Sequence, residues 1–234
     1  MQEQVSSQGE GGGAIDLYLD FISPFAYLAW QRMPALAEAH GRTLRPIPVL
    51  FAALLGHFGH LGPAEIAPKR VYIFKQVLRR AHERGLHIEP PPAHPFNPLL
   101  ALRIAGDPSL GAELQAKVIS ALFDATWGGG PGIGDPATIT RVLTRAGLDG
   151  AGLVAAASTS EAKARLRSSS EAALRAGVFG VPTMIVDGEL FWGDDSIDDL
   201  GRFLRGEDPI TTAALARWMD LPRAADRRGR GSAS

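Results

Sequence analysis

The residues best placed for chemistry begin with a serine at a junction between a strand and a helix. In the stretch FISPFAYLAW, residues 21–30, an apolar strand runs into Ser23-Pro24 and a helical pattern follows. Serine is a favoured N-cap and proline a favoured first helical residue, so a purely structural role would explain both. A hydroxyl at a helix N-terminus also lies where the helix dipole favours an anion, and it can donate a hydrogen bond to one.

Further candidate groups lie in two other stretches of the chain. Val181-Pro182 precedes a short apolar run, where the missing N–H of a proline at the start of a strand is harmless. Asp194 and Asp195 precede the last helical pattern, where acidic residues cap a helix and complement its dipole. Each of these residues therefore has a structural explanation as well as a functional one.

Two alternative chemistries receive little support from the sequence. His57 and His60 have a spacing found in metal sites, but no third ligand cluster lies near them in sequence, so we expect no metal. Ser23 lacks the Gly-x-Ser-x-Gly surroundings of a hydrolase nucleophile, so a serine hydrolase is disfavoured.

The complete absence of cysteine restricts the chemistry further. It excludes disulfides, cysteine–zinc sites and a cysteine nucleophile, so sulfur chemistry would need a ligand that supplies the sulfur. The formal net charge of -1 gives no sign of a nucleic-acid or anionic-membrane partner. No apolar run is long enough to cross a bilayer and the N-terminus lacks the apolar region of a signal peptide, so we expect a cytoplasmic protein.

The N-terminal elements form a strand–helix–strand unit. Strands are predicted near residues 15–21 and 43–49, and a helix is predicted near 24–40, with a kink at Pro34. A right-handed parallel crossover is the expected arrangement of such a unit. Residues 1–13 and 223–234 are polar or basic and are expected to be disordered tails.

The remaining elements are a helical block and a C-terminal hairpin. Apolar residues at helical spacing predict helices in four segments, at 69–84, 97–106, 110–126 and 137–146. Asp187-Gly188 between two apolar runs predicts a hairpin of strands 183–186 and 189–192, and a last helix is predicted near 195–205. We expect the strands of both units to share one four-stranded sheet.

This order of elements, together with Ser23-Pro24-Phe25-Ala26 and GVFGVPTMIVDGELFWGDD at 177–195, resembles a known family. The chain is similar to the 2-hydroxychromene-2-carboxylate isomerases and the kappa-class glutathione transferases. The resemblance implies an α/β thioredoxin-like fold with an inserted all-helical domain, of the DsbA type. The thioredoxin-like domain would comprise residues 14–51 and 177–206, and the inserted helical domain residues 52–176.

The resemblance also implies roles at a bound glutathione. Ser23 would activate the glutathione thiol by donating a hydrogen bond to the thiolate. Val181-Pro182 would have a cis peptide bond, with the backbone of Val181 pairing with the cysteinyl backbone of glutathione. Asp195 matches the acid that binds the γ-glutamyl ammonium, while Asp194 stands where the family has an uncharged serine or asparagine. A second carboxylate at that position would repel the γ-glutamyl carboxylate.

At the glycyl end of glutathione the family has an asparagine and, nine residues later, a lysine. Lys69 matches the lysine, and His60 replaces the asparagine. Histidine can still donate one hydrogen bond to a ligand, although its reach differs.

These matches imply a glutathione-dependent isomerase acting on 2-hydroxychromene-2-carboxylate-like aromatic ketoacids, assembled as a homodimer. One alternative is a kappa-class glutathione transferase that conjugates electrophiles with the same Ser23. A second alternative, from another class, is a non-catalytic thioredoxin-like module that binds a peptide or protein partner.

Overall fold

The computed structural model describes residues 13–222. The predicted tails therefore lie outside the described residues, except for Gly13, which directly precedes the first strand. Within 13–222, no helix is both long and apolar enough to span a bilayer.

Four strands form one mixed sheet. They are β1 (Ala14–Leu19), β2 (Thr43–Pro48), β3 (Thr183–Val186) and β4 (Glu189–Trp192), in the spatial order β2-β1-β3-β4. β1 pairs with β2 in parallel, as the crossover rule predicts, and with β3 in antiparallel orientation. The prediction that strands from both ends of the chain share a sheet is confirmed, since Leu17 lies opposite Met184.

The helix predicted near 24–40 is two helices, α1 (Pro24–Trp30) and α2 (Met33–Ala39), which connect β1 to β2. The prediction of a kink at Pro34 was therefore wrong. The helix ends before the proline, and Pro34 occupies the first turn of α2. A proline costs little there, because the first N–H groups of a helix have no intrahelical partner.

The segment between the two parts of the sheet is helical. Its helices are α3 (Phe51–Phe58), α4 (Ala67–Glu83), α5 (Leu99–Ala105), α6 (Ala112–Trp127), α7 (Pro136–Arg145), α8 (Gly150–Ala157) and α9 (Ser160–Arg175). α4 to α7 overlap the four predicted helical segments. After β4, a 3-10 turn at Asp194–Ser196 leads into α10 (Ile197–Leu204). A short exposed helix, α11 (Thr212–Met219), was not predicted.

One apolar cluster joins the sheet to the helical segment. Phe21, just after β1, packs edge-to-face on Phe123 of α6 with ring centroids 4.8 Å apart. The indole N–H of Trp127 donates to the carbonyl of Phe21 at 2.9 Å. α6 therefore holds the loop that carries Ser23, two residues after Phe21. The division into two domains with the stated boundaries stays a prediction.

Candidate active site

Ser23 is the N-cap of α1. Its backbone is extended, with φ -93° and ψ 115°, and its Oγ accepts the N–H of Ala26 at 3.2 Å. The structural interpretation of the serine as a helix cap is therefore confirmed. The same Oγ lies 3.5 Å from the carbonyl oxygen of Val181, to which the hydroxyl donates. The hydroxyl thus contacts Val181 of the Val181-Pro182 motif, which is 158 residues away in the sequence.

Sheet pairing brings Val181-Pro182 to Ser23. Tyr18 of β1 lies opposite Thr183 of β3, so the residues before β3 reach the loop that follows β1. The Val181-Pro182 peptide bond is cis, as expected from the resemblance, and the expected contact with Ser23 is present. The Pro182 carbonyl accepts the N–H of Gly193 at 2.9 Å, which fixes this loop against the end of β4.

A cavity of about 1460 Å³ opens beside Ser23. Its walls are mostly apolar and come from the loop after β1, from α3 and α4, and from the loop before β3. Ser23, Val181, His60 and Lys69 all line it. Pro182, Asp194 and Asp195 are not among its lining residues. The structure therefore gathers four of the seven predicted site residues around one space.

His60 reaches the cavity wall from the connection between α3 and α4, and Lys69 reaches it from the first turn of α4. α3 ends at Phe58, and its capping residue Gly59 has φ +64°. The N–H of His60 then donates to the Leu55 carbonyl at 2.9 Å. A left-handed conformation of this kind favours glycine. His60 and Lys69 are both exposed, so their polar ends are available to a ligand in the cavity.

The carboxylate of Asp194 has protein partners. It is fully buried, and Arg84 forms two hydrogen bonds to it, at 2.7 Å and 2.9 Å. Arg80 adds a third contact at 3.2 Å. We expected the Asp194 carboxylate to face a ligand, and it faces arginines instead. This pairing explains its burial, since a buried charge is tolerated only when it has a partner. The two arginines therefore place positive charge against the Asp194 carboxylate within the protein.

Asp195 is exposed and shares Arg80 with Asp194. Its carboxylate lies 3.2 Å from an Nη atom of Arg80, and its side chain is 68% exposed. Arg80 packs over the ring of Phe25, with its guanidinium carbon 5.0 Å from the ring centroid. Because Phe25 lines the cavity, this carboxylate–guanidinium pair lies next to the cavity wall, although outside its lining.

Sequence reasoning missed Asp20, a fully buried carboxyl group on the cavity wall. Its two oxygens accept the N–H of Ile22 at 3.0 Å and the N–H of Phe51 at 2.9 Å. Burial raises the pKa of Asp20 to about 7, against the opposing effect of these hydrogen bonds. Asp20 therefore fastens the loop before Ser23 to the start of α3. A polar residue at the end of an apolar strand was the available signal.

His94 was also missed. Its Nε2–H donates to the carbonyl of Ile22 at 3.0 Å, since a carbonyl only accepts. Its ring lies among the aromatic rings of Phe74, Phe96 and Trp127. Burial, the largest effect, lowers the pKa of His94 and favours a neutral imidazole. His94 lies in a proline-rich stretch with no other candidate catalytic or metal-binding residue at a recognisable spacing, so the sequence alone did not single it out.

An aromatic pair completes the cavity wall. Phe179 and Trp192 have ring centroids 5.1 Å apart, and both are substantially exposed. A Cβ on Gly180 would lie 2.5 Å from the indole nitrogen of Trp192, so glycine permits this close packing. The two rings offer an apolar surface at the cavity to a flat ligand.

Comparison with known proteins agrees with this geometry. A family model described as a DSBA-like thioredoxin domain matches residues 14–205. The chain is 32% identical over 186 residues to a 2-hydroxychromene-2-carboxylate isomerase of Pseudomonas putida, covering 78% of this chain and 90% of that protein. It is 25% identical over 225 residues to human glutathione S-transferase kappa 1, covering 87% and 96% of the two chains.

Comparison with solved structures also identifies a 2-hydroxychromene-2-carboxylate isomerase as similar. The structure of a 2-hydroxychromene-2-carboxylate isomerase superposes with a TM-score of 0.74 at 26% identity, covering 90% of this chain and all of the other. These matches cover most of the chain, from 78% for the isomerase sequence to 90% for the isomerase structure. The protein belongs to the DSBA-like thioredoxin family and, within it, to the group of the 2-hydroxychromene-2-carboxylate isomerases.

Proposed function

We propose that the protein is a glutathione-dependent isomerase acting on 2-hydroxychromene-2-carboxylate-like aromatic ketoacids, in which Ser23 stabilises the glutathione thiolate. The observation that carries the proposal is the position of the Ser23 hydroxyl. It lies at the N-terminus of α1, faces the Val181 carbonyl and borders a large apolar cavity. Relatives that are 29–32% identical are named as isomerases of this kind, which supports the substrate class.

The groups around the cavity fit glutathione, which has one thiol, two carboxylates and one ammonium. Lys69 would bind the glycyl carboxylate, with His60 as a neighbouring hydrogen-bond donor. Asp195 would bind the γ-glutamyl ammonium, and Arg80 beside it would limit repulsion of the adjacent carboxylate. The backbone of Val181 would pair with the cysteinyl backbone, while Pro182 and the paired Asp194 would hold the loops in place.

Ser23 can serve as cap and donor together, because a hydroxyl has one hydrogen to donate and two lone pairs. Oγ accepts the Ala26 N–H and its hydrogen points to the Val181 carbonyl, and with glutathione bound the same hydrogen would be free to turn to the sulfur. The N-terminus of α1 adds a favourable dipole for a negative charge at that point. When bound, glutathione would supply the thiol whose reversible addition to the substrate double bond permits rotation.

The apolar wall has its own part in this proposal. Phe25, Phe179 and Trp192 would pack against the flat ring of the substrate and exclude water from it. Excluding water strengthens the hydrogen bond from Ser23 to a developing anion, because the local dielectric constant is lower.

A kappa-class glutathione transferase remains the alternative within the same site. The similarity to human glutathione S-transferase kappa 1 over 87% of the chain favours it, and Ser23 would have the same role. The two activities differ in the final step, since an isomerase releases the thiol and a transferase keeps the new carbon–sulfur bond. Product analysis separates them, because only the transferase consumes glutathione.

We further propose a cytoplasmic homodimer with the two-domain division given above. Support for the compartment is chemical, since glutathione is held mostly reduced in the cytosol. A sedimentation measurement at several protein concentrations tests the dimer, and a constant monomer mass would contradict it.

Two measurements test the function. Glutathione should raise the melting temperature, and the increase should grow with its concentration, because a ligand that binds only the folded state stabilises it. Conversion of 2-hydroxychromene-2-carboxylate to its ring-opened ketoacid should require glutathione without consuming it. A melting temperature that is independent of glutathione would refute the cofactor, and consumption of glutathione would favour the transferase.

Ser23→Ala tests the serine, and Thr159→Ala is its matched control. Thr159 caps α9 with the same 3.2 Å acceptor geometry but does not line the cavity. Each change should cost about 1 kcal/mol of stability through the lost cap. Only Ser23→Ala should lower turnover and raise the pKa of the bound thiol, with glutathione affinity nearly unchanged. If the thiolate absorbance of the glutathione complex titrates identically in wild type and Ser23→Ala, Ser23 is a helix cap and does not stabilise the thiolate.

A further inference from the structure

A second cavity, of about 180 Å³, lies apart from the Ser23 cavity and shares none of its lining residues within 13–222. It is bounded by the edge strand β2 and by α5, α6 and α9. Arg103 of α5 and Arg165 of α9 both line it. The proposed function uses neither arginine.

Both guanidinium groups lack partners in the part of the chain that the structure describes. The Nε–H of Arg103 and that of Arg165 are buried without a hydrogen-bond acceptor. Neither arginine forms an ion pair with a described carboxylate. A buried donor without an acceptor is unfavourable, and two like charges beside one cavity add repulsion.

The acids four residues from each arginine make their hydrogen bonds with serines and form no direct ion pair with either arginine. Asp107 accepts both the N–H and the hydroxyl of Ser109. Glu161 is exposed and accepts the hydroxyl of Ser160, and it interacts with Arg165 through charge only, without a direct ion pair. Neither acid lines the cavity, so it contains no negative charge of its own.

The neutral polar groups of the cavity are already paired with backbone carbonyls. The side-chain amide of Gln115 donates to Pro46 and Ala105, at 3.2 Å and 2.9 Å. The hydroxyl of Ser169 donates to Pro48 at 2.9 Å. The side-chain donors of Gln115 and Ser169 are therefore in use, and the donors without an acceptor are those of the two arginines.

We propose that Arg103 and Arg165 form a binding site for a small tetrahedral dianion of the phosphate or sulfate type. Two positive charges match two negative charges, and guanidinium groups bind such oxygens through paired N–H donors. The cavity volume of about 180 Å³ is large enough to admit one such ion. The ion would join α5 and α9 beside the end of β2.

Calorimetric titration of the full-length protein with inorganic phosphate tests this site. We expect saturable binding, with sulfate competing and chloride at equal ionic strength giving none. Arg103→Gln and Arg165→Gln should each weaken binding by about tenfold or more, because each removes charge-assisted donors. Arg167→Gln is the matched control, since Arg167 is exposed on the same helix and outside the cavity.

Binding of glutathione serves as the check on folding, because its cavity is separate. Variants that keep the glutathione-induced rise in melting temperature but lose phosphate binding support the site. Equal phosphate binding in wild type, Arg103→Gln and Arg165→Gln overturns it. Wild-type protein that shows the same melting temperature in phosphate and in chloride at equal ionic strength also overturns it, and that result needs no variant.

Discussion

Replacing Asp20 by asparagine should change how the stability of the protein depends on pH. The carboxyl group is fully buried, and its pKa is about 7 in the folded protein against an ordinary value of 3.8. Between these values the folded state keeps a proton that the unfolded state has released. The contribution of Asp20 to stability is therefore complete below the unfolded value and is lost as pH rises through about 7.

The size of this effect follows from the same two values. The difference between 3.8 and about 7 corresponds to about 4 kcal/mol, at 1.36 kcal/mol for each pKa unit. Between about pH 5 and about pH 8, the wild-type protein should lose about 3 kcal/mol through this group. Asparagine cannot ionise, so Asp20→Asn should lack that part of the slope.

The variant has a cost that does not vary with pH. An asparagine amide replaces one acceptor oxygen with a donor, so the N–H of either Ile22 or Phe51 loses its partner. An unpaired buried donor costs about 1–3 kcal/mol. Asp20→Asn should thus be the less stable protein at low pH, and the gap should close or reverse above neutrality.

Denaturant unfolding of both proteins across this pH range measures the difference directly. Glu38→Gln is the control, because it removes an exposed carboxylate from α2 without touching Asp20. Parallel curves of unfolding free energy against pH for wild type and Asp20→Asn would refute the reasoning, since they would show that Asp20 does not take up a proton on folding.

Three further predictions concern the site. Arg84→Gln should destabilise the fold by about 3–5 kcal/mol in denaturant unfolding, because it breaks a buried pair with Asp194, while exposed Arg79→Gln should have little effect. Asp195→Ala should weaken glutathione binding more than Asp194→Ala does, since Asp194 has protein partners; calorimetry giving the reverse order would contradict the assignment. Gly180→Ala should displace the exposed indole of Trp192, and therefore alter its fluorescence and raise KM for the aromatic substrate with little loss of stability. Unchanged fluorescence and KM would show that the indole does not shape the site.

Local patterns in the sequence determined the elements that carry the site. The hairpin of β3 and β4 follows from Asp187-Gly188, because that turn requires positive φ at both positions, and the values are 51° and 86°. The Ser23 cap likewise follows from neighbouring residues alone, since the accepting Oγ and the donating N–H of Ala26 are three positions apart. The resemblance to a known family rested on these same stretches and added the cis bond at Val181-Pro182.

Only the tertiary structure decided which charged groups are free. Asp194 looks like an exposed helix cap in sequence, and it is buried because Arg84, 110 positions away, is brought to it by the packing of α4. Asp20 likewise looks like a polar strand end, yet α3 closes over it and supplies Phe51 as a partner. Hydrogen bonds and desolvation depend on distance in space, and neighbours in sequence give no information about partners brought together by folding.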